Sequence, residues 1–253
     1  MLAIANGAFK SGSSWLFKIL CCITQFPPPP KPYLNLEWKN PSIHPNQLAS
    51  FLDSEDFSKQ NYLCKNHFGR RRERNLLLSY PHVSVFNIKR DLRDVVVSAY
   101  YHDCRVEGFE GSFEDYYWFL GRLHAHKVRK YHAIWDISSP QVYVSSYERL
   151  KQDFISEVNE IANFLRFNLS THQLEEIQFR TSFERFKQGE KSTQTIQRTD
   201  ETAFIRKGIV GDWKNHFNAQ MLDDITAIEQ NGLALPTRAW IHLSKRLKKI
   251  ADF

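Results

Sequence analysis

Leu2-Ala3-Ile4-Ala5-Asn6-Gly7-Ala8-Phe9-Lys10-Ser11-Gly12-Ser13-Ser14-Trp15-Leu16-Phe17-Lys18-Ile19-Leu20 joins a short apolar run, a glycine-bearing loop and a stretch of helical periodicity. The order is strand, loop, helix. By position, Lys10 to Trp15 is an anion cradle: backbone N–H groups at a helix start, the Ser13 and Ser14 hydroxyls and the Lys10 ammonium converge on one place. It is not a Walker A loop, whose lysine follows the second glycine, because Lys10 precedes Gly12. Taken alone, the segment also fits an ordinary serine-rich helix cap.

The same order recurs further on. Tyr62 to Lys65 is a second strand candidate, and Val83 to Ile88 is a third that runs through Arg90-Asp91-Leu92-Arg93-Asp94 into a helix from Val95. Gln141 to Val144 reads as a fourth strand. Helical periodicity covers Phe113 to His132 and Arg149 to Leu165, with a short helix at Gln47 to Leu52. Alternating strands and helices predict a three-layer α/β fold, with a central, mainly parallel sheet flanked by helices and the ligand site beyond the carboxyl ends of the strands. At 253 residues, with domains of about 150 residues as a guide, we expect one domain over 1–253.

Composition bounds the function. The chain is 42% hydrophobic and 25% charged with only 10 Gly and 10 Pro, which excludes collagen-like and broadly disordered classes. A net charge of +6 favours an anionic ligand. Lys10, Lys18 and the prolines from Pro27 interrupt the only apolar stretch near the N-terminus, so no membrane span is expected. Cys21, Cys22, Cys64 and Cys104 form no C-x-x-C pair and read as reduced thiols of a cytoplasmic protein, the first two packing a helix. Ser192 to Thr202 reads as a mobile polar loop. From Pro236 a basic helix is expected, with Trp240, Leu243, Leu247 and Ile250 as its apolar stripe.

Two further segments suit an anion. Arg90 stands at a strand exit with Ser98 about two helical turns on, where both could face one phosphate, or belong to a solvated charge cluster. In Phe204-Ile205-Arg206-Lys207-Gly208, two cations precede a glycine that lets backbone approach a ligand. Together with Lys10 to Trp15, these segments resemble the cytosolic-type sulfotransferases, which transfer a sulfuryl group from 3′-phosphoadenosine-5′-phosphosulfate (PAPS) and release 3′-phosphoadenosine-5′-phosphate (PAP).

The resemblance implies the P-loop NTPase-like sulfotransferase fold and a set of roles. Lys10, Ser11, Gly12, Ser13, Ser14 and Trp15 would hold the 5′-phosphosulfate, with serines where the family has threonines. Arg90 and Ser98 would grip the 3′-phosphate, Phe204, Arg206, Lys207 and Gly208 would also bind the donor, and Tyr147, Thr181, Ser182 and Phe183 would surround adenine and ribose. Lys65-Asn66-His67 matches the family's base segment, so His67 would deprotonate a hydroxyl or amine of a small-molecule acceptor. Lys65 would stabilise the sulfuryl oxygens and Lys10 the bridging oxygen. A neutral imidazole suits that task. No metal is expected, since the other histidines show no ligand pattern.

The chain departs from the family at its start and at the dimer segment. It begins almost at its first strand, which suggests a compact, bacterial-type member. The family's dimer segment is replaced by Lys214-Asn215-His216-Phe217-Asn218-Ala219, so the oligomeric state is open. Gly69-Arg70-Arg71-Arg72-Glu73-Arg74 could draw an anionic or polyhydroxylated acceptor or be a solvated turn, and Tyr116 to Phe119 could line a pocket or fill the core. Two alternatives remain: a kinase-like or regulatory nucleotide-binding protein and, less well supported, a basic nucleic-acid-binding module, for which no groove-reading motif is present.

Overall fold

The computed structural model describes residues 1–185 and 207–234. Four parallel strands, β1 (Leu2–Gly7), β2 (Tyr62–Asn66), β3 (Val83–Lys89) and β4 (Val142–Ser146), form one sheet in the order β2-β1-β3-β4. β1 lies inside the sheet with all six residues buried. Such a strand must be apolar on both faces, and Leu2 to Ala5 supply that. The chain divides into two compact units, Met1–Arg90 with Tyr131–Gly208, and Asp91–Lys130 with the chain from Ile209.

In the first unit, α1 (Ser13–Thr24), α2 (Leu48–Leu52), α3 (Glu55–Lys59) and α4 (Arg71–Leu78) precede β3. One sheet face meets α1 through Leu16, Leu20 and Ile23, in a core cluster that holds Ala3, Ala5, Leu63, Phe86 and Ile88. Leu2, Ile4, Cys64 and Val85 alternate with these and are also fully buried, so both faces are covered, as in a three-layer fold. β2 is an edge strand whose outward Leu63 and Lys65 N–H groups donate to the Pro27 and Pro41 carbonyls at 3.0 and 2.8 Å.

The second unit begins with α5 (Leu92–Val106). There follow α6 (Phe113–Tyr116), a π-helical turn (Tyr117–Gly121) and α7 (Arg122–Trp135), whose last residues belong to the first unit. The long helix expected over Phe113 to His132 is therefore interrupted by a wider turn. Tyr116 and Tyr117 are fully buried, so these two fill the core rather than a pocket.

Beyond β4 lie α8 (Tyr147–Gln152), α9 (Phe154–Phe164), α10 (Thr171–Arg180) and, in the second unit, α11 (Ala219–Asn231). The single helix expected over Arg149 to Leu165 is two, because Asp153 leaves helical geometry and its side chain accepts the Ser156 N–H at 3.1 Å. Likewise α5 starts at Leu92, not Val95, capped by Asp91, which accepts the Arg93 N–H at 2.8 Å. The loop expected over Ser192 to Thr202 and the helix expected from Pro236 lie outside the described residues.

Candidate active site

β1 ends at Gly7, and the chain turns over in a loop closed by a Ser11 N–H bond to the Ala8 carbonyl at 3.1 Å. Lys10 (φ 64°) and Gly12 (φ 98°) are both left-handed, a conformation uncommon for a residue such as lysine. Gly12, not a serine, occupies the cap position of α1, and no side chain caps it; Ser13 and Ser14 are the first two helical residues. The serine-cap reading is thus corrected, and no side chain caps the start of α1, while the Trp15 N–H donates to the Gly12 carbonyl at 2.9 Å. Ser11 is fully buried, yet its Oγ finds no hydrogen-bond partner among the described residues, nor does Trp15 Nε1. Buried polar atoms are rarely left so, which fits a ligand that would complete them.

The exits of β3 and β4 bring two more residues to this loop. Arg90 donates from Nη1 to the Lys10 carbonyl at 3.3 Å, and its guanidinium lies 4.3 Å from the centre of the Tyr147 ring. Tyr147 meets Trp15 edge-to-face at 5.4 Å, and a Cβ on Gly12 would stand 2.8 Å from Tyr147 Cδ2. Glycine is required here twice, by φ and by contact. Gly12→Ala is expected to lower folding stability by about 1–3 kcal/mol, the usual scale of such strain, in urea melts; an unchanged midpoint would contradict the close approach.

At the end of β2, His67 Nδ1 lies 2.5 Å from the Gly7 carbonyl. A carbonyl only accepts, so Nδ1 carries the proton and Nε2 is the bare, basic nitrogen. Burial, and secondly the Lys65 charge, push the His67 pKa down to about 4, while burial lowers that of Lys65 to about 8. The exposed Trp38 ring stands 5.6 Å from the imidazole.

His132 is similarly held at about 4, by burial and then by Lys89. From the ordinary value of about 6.5 down to about 4, the unfolded chain takes up these protons and the folded chain does not, so stability must rise with pH across that window. The slope is up to about 1.4 kcal/mol per pH unit for each group. Denaturant melts from pH 7 to 4.5 should show this loss on acidification, reduced in His132→Gln; an identical slope in that variant would remove His132 as a source.

The other predicted residues are placed as follows. Thr181 and Ser182 close α10, with Thr181 Oγ1 donating to the Ile177 carbonyl at 2.8 Å. Phe183 packs on Gly208 (φ 66°), where a Cβ would lie 2.6 Å from its ring, and Lys207 beside it is exposed. Ser98 is half-buried on α5 in the second unit. Phe204 and Arg206 lie outside the described residues. The basic run is not a turn: Arg71 to Arg74 form the first turn of α4, where the Glu73 side chain accepts the Arg70 N–H at 3.1 Å and Arg74 donates to the Ile134 carbonyl at 3.0 Å.

Sequence reasoning missed Asn6, Trp38 and Asp94. The Asn6 amide grips Phe68, next to His67, through Oδ1 accepting from its N–H at 2.9 Å and Nδ2 donating to its carbonyl at 3.3 Å. In the second unit, buried Asp94 accepts the Gly211 and Trp213 N–H groups at 2.7 and 3.1 Å, and Arg93 stacks on the Trp213 ring at 3.8 Å. For Asn6 and Asp94 the available signal was a polar residue inside an apolar strand or helix face.

This arrangement sets an uncapped helix start, Lys10 and Arg90 at the end of β1, where the Gly7 carbonyl also holds a desolvated histidine. The family model described as "Sulfotransferase domain" matches residues 4–245. A 3-beta-hydroxysteroid sulfotransferase of Cavia porcellus is 28% identical over 239 residues, covering 89% of this chain and 81% of its own. Human sulfotransferase 2A1 is 25% identical over 249 residues, with the same coverage. Among solved structures, mouse sulfotransferase SULT7A1 complexed with PAP has a TM-score of 0.63 at 18% identity, covering 95% of this chain and 88% of that one. Retinol dehydratase in a complex with retinol and PAP has a TM-score of 0.64 at 17% identity, covering 92% and 81%. The chain belongs to the sulfotransferase family. No helix among the described residues is long and apolar enough to cross a membrane.

Proposed function

We propose that the protein transfers a sulfuryl group from PAPS to a hydroxyl or amine of a small-molecule acceptor, with residues 1–253 working as one catalytic domain. The observation that carries this reading is the convergence of Arg90, Tyr147 and Trp15 on the Lys10 backbone and the uncapped start of α1, where Ser11 Oγ and Trp15 Nε1 lack partners among the described residues. These groups fit a phosphorylated adenine nucleotide, offering N–H groups, a lysine and an arginine to anions and aromatic faces to a base. The PAP named with the similar structures agrees with that fit.

The nucleotide supplies a sulfuryl group on a phosphate leaving group. His67 Nε2 takes the acceptor's proton as the acceptor oxygen or nitrogen bonds to sulfur. The sulfur–oxygen bond to the nucleotide then breaks, and its electron pair leaves on the phosphate oxygen. Lys10 would stabilise that oxygen and Lys65 the sulfuryl oxygens; positioning and fixed charge would carry the rate enhancement, as in phosphoryl transfer. The scheme calls on no divalent metal. The setting we infer is cytoplasmic, in keeping with four cysteines that lie as free thiols.

Calorimetry tests the donor. PAP is expected to bind at least tenfold tighter than adenosine 5′-diphosphate, which lacks the 3′-phosphate, and Arg90→Ala should abolish the difference, a charge-assisted bond being worth about 1.5–3 kcal/mol. Equal binding of the two nucleotides to the wild type would overturn the reading and favour a kinase-like or regulatory nucleotide-binding protein.

A further inference from the structure

Three asparagines stand in register across the sheet, Asn66 on β2, Asn6 on β1 and Asn87 on β3, at relative exposures of 3%, 0% and 0%. A buried amide is costly unless its donors and acceptors are met. Asn66 meets this locally, accepting the Ile43 N–H at 3.2 Å and donating to the Ile43 carbonyl at 2.8 Å and to Ser42 Oγ at 3.0 Å. Asn6 instead reaches forward to Phe68, two residues beyond the end of β2. Its side chain replaces a peptide group, so the β1–β2 pairing continues past Asn66 although the backbone ladder has stopped.

The placement bears on the base. His67 lies between the last ladder residue, Asn66, and the clamped residue, Phe68. The Phe68 carbonyl is held a second time, by Trp135 Nε1 at 2.6 Å. Gly7, next to Asn6, supplies the carbonyl that accepts the hydrogen bond from His67 Nδ1–H. One dipeptide, Asn6-Gly7, therefore grips both the backbone after the imidazole and the imidazole itself.

We propose that Asn6 is a positioning residue for His67: by clamping Phe68 to the end of β1 it keeps the imidazole Nδ1 on the Gly7 carbonyl and leaves Nε2 bare toward the acceptor. This inference rests on His67 being the base. Without the clamp, Phe68 retains, of its side-chain bonds among the described residues, the one from Trp135, the segment after β2 drifts, and the ring exchanges the Gly7 bond for water. The neutral imidazole proton then divides between the two nitrogens. A small displacement of a reacting group is enough to cost one to two orders of magnitude in rate.

The test uses full-length protein labelled with 15N-histidine, with the His67 signals assigned by their loss in His67→Ala. At pH 7 the wild type should show His67 as the Nδ1–H tautomer alone. Asn6→Ala should show mixed tautomers and about tenfold lower turnover of PAPS against a panel of one phenol, one aliphatic alcohol and one amine, with PAP affinity within about twofold of wild type. Asn6→Thr, a strand-compatible residue able to serve at most one Phe68 group, should shift the same signals less and keeps the test open if Asn6→Ala does not fold. In the His67→Ala background, Asn6→Ala should add no further loss of turnover. A folded Asn6 variant with wild-type tautomer and turnover would overturn the proposal. Full activity in His67→Ala would instead overturn the reading of His67 as the base, and the two failures stay distinct.

Discussion

His67→Ala is expected to lower sulfuryl transfer by about a hundredfold or more, the scale of a positioned general base, while PAP still binds. The imidazole is poised by two arrangements that act together. The Gly7 carbonyl at 2.5 Å fixes the proton on Nδ1, and burial beside Lys65 keeps the ring neutral down to about pH 4. A base with so low a pKa is weak in the ground state. Its use lies in being unprotonated at any working pH, so turnover should not decline on acidification at the usual histidine value of about 6.5. Removal of the ring leaves the acceptor's proton without a receiver. Lys10→Ala should cost a similar factor for a different reason, since charge developing on the leaving oxygen loses its counter-ion. PAPS consumption against the acceptor panel measures both. Near-normal turnover in His67→Ala would remove that residue from the chemistry, whereas lost PAP binding would place it in nucleotide binding.

Asp94→Ala is expected to destabilise the fold by about 3 kcal/mol, because two charge-assisted bonds of about 1.5–3 kcal/mol each disappear and only part is recovered from water. The Asp94 carboxylate is 1% exposed and takes the N–H groups of Gly211 and Trp213. It thereby fixes the start of the Asp212–Asn215 turn against α5, while Arg93 covers the Trp213 ring. Asp94→Asn keeps one carbonyl acceptor and should recover about half of the loss. Urea melts measure the energy, and hydrogen exchange at Gly211 and Trp213 measures its location. A change under about 0.5 kcal/mol, or exchange that accelerates evenly over the chain, would argue against the clamp.

The strands were legible because buried parallel strands need apolar, β-branched or aromatic residues: Leu2 to Ala5 is an unbroken run, and Val83 to Ile88 keeps Val83, Val85, Phe86 and Ile88 around Ser84 and Asn87. The loop proposed to hold the donor was legible because its chemistry is local: a lysine, a glycine and serines within six residues. What escaped the sequence reading depends on residues distant along the chain. Asn6 and Phe68 are 62 positions apart, and Asp94 and Gly211 are 117 apart. Neither pair carries a local pattern. Other omissions were of a different kind. The caps of α3, α10 and α11 (Ser54, Ser170 with Gln173, and Asn218) stand in the sequence, and weak amphipathic periodicity hid the helices behind them. The break at Asp153 was masked by good helix formers before it, Leu150, Lys151 and Gln152, and by the apolar periodicity that resumes after it at Phe154, Val158 and Ile161.

The outer edge of β2 has a consequence for solubility. An open strand edge invites pairing with the backbone of another molecule, and this edge belongs to the strand that leads into Lys65 and His67. Its outward N–H groups end on the carbonyls of Pro27 and Pro41, residues that accept a hydrogen bond but have no N–H to return. A second chain approaching β2 therefore meets an edge whose donors are already engaged and whose covering prolines cannot continue a ladder. Concentrated or gently heated protein is guarded at the strand where intermolecular β-pairing would also silence the enzyme.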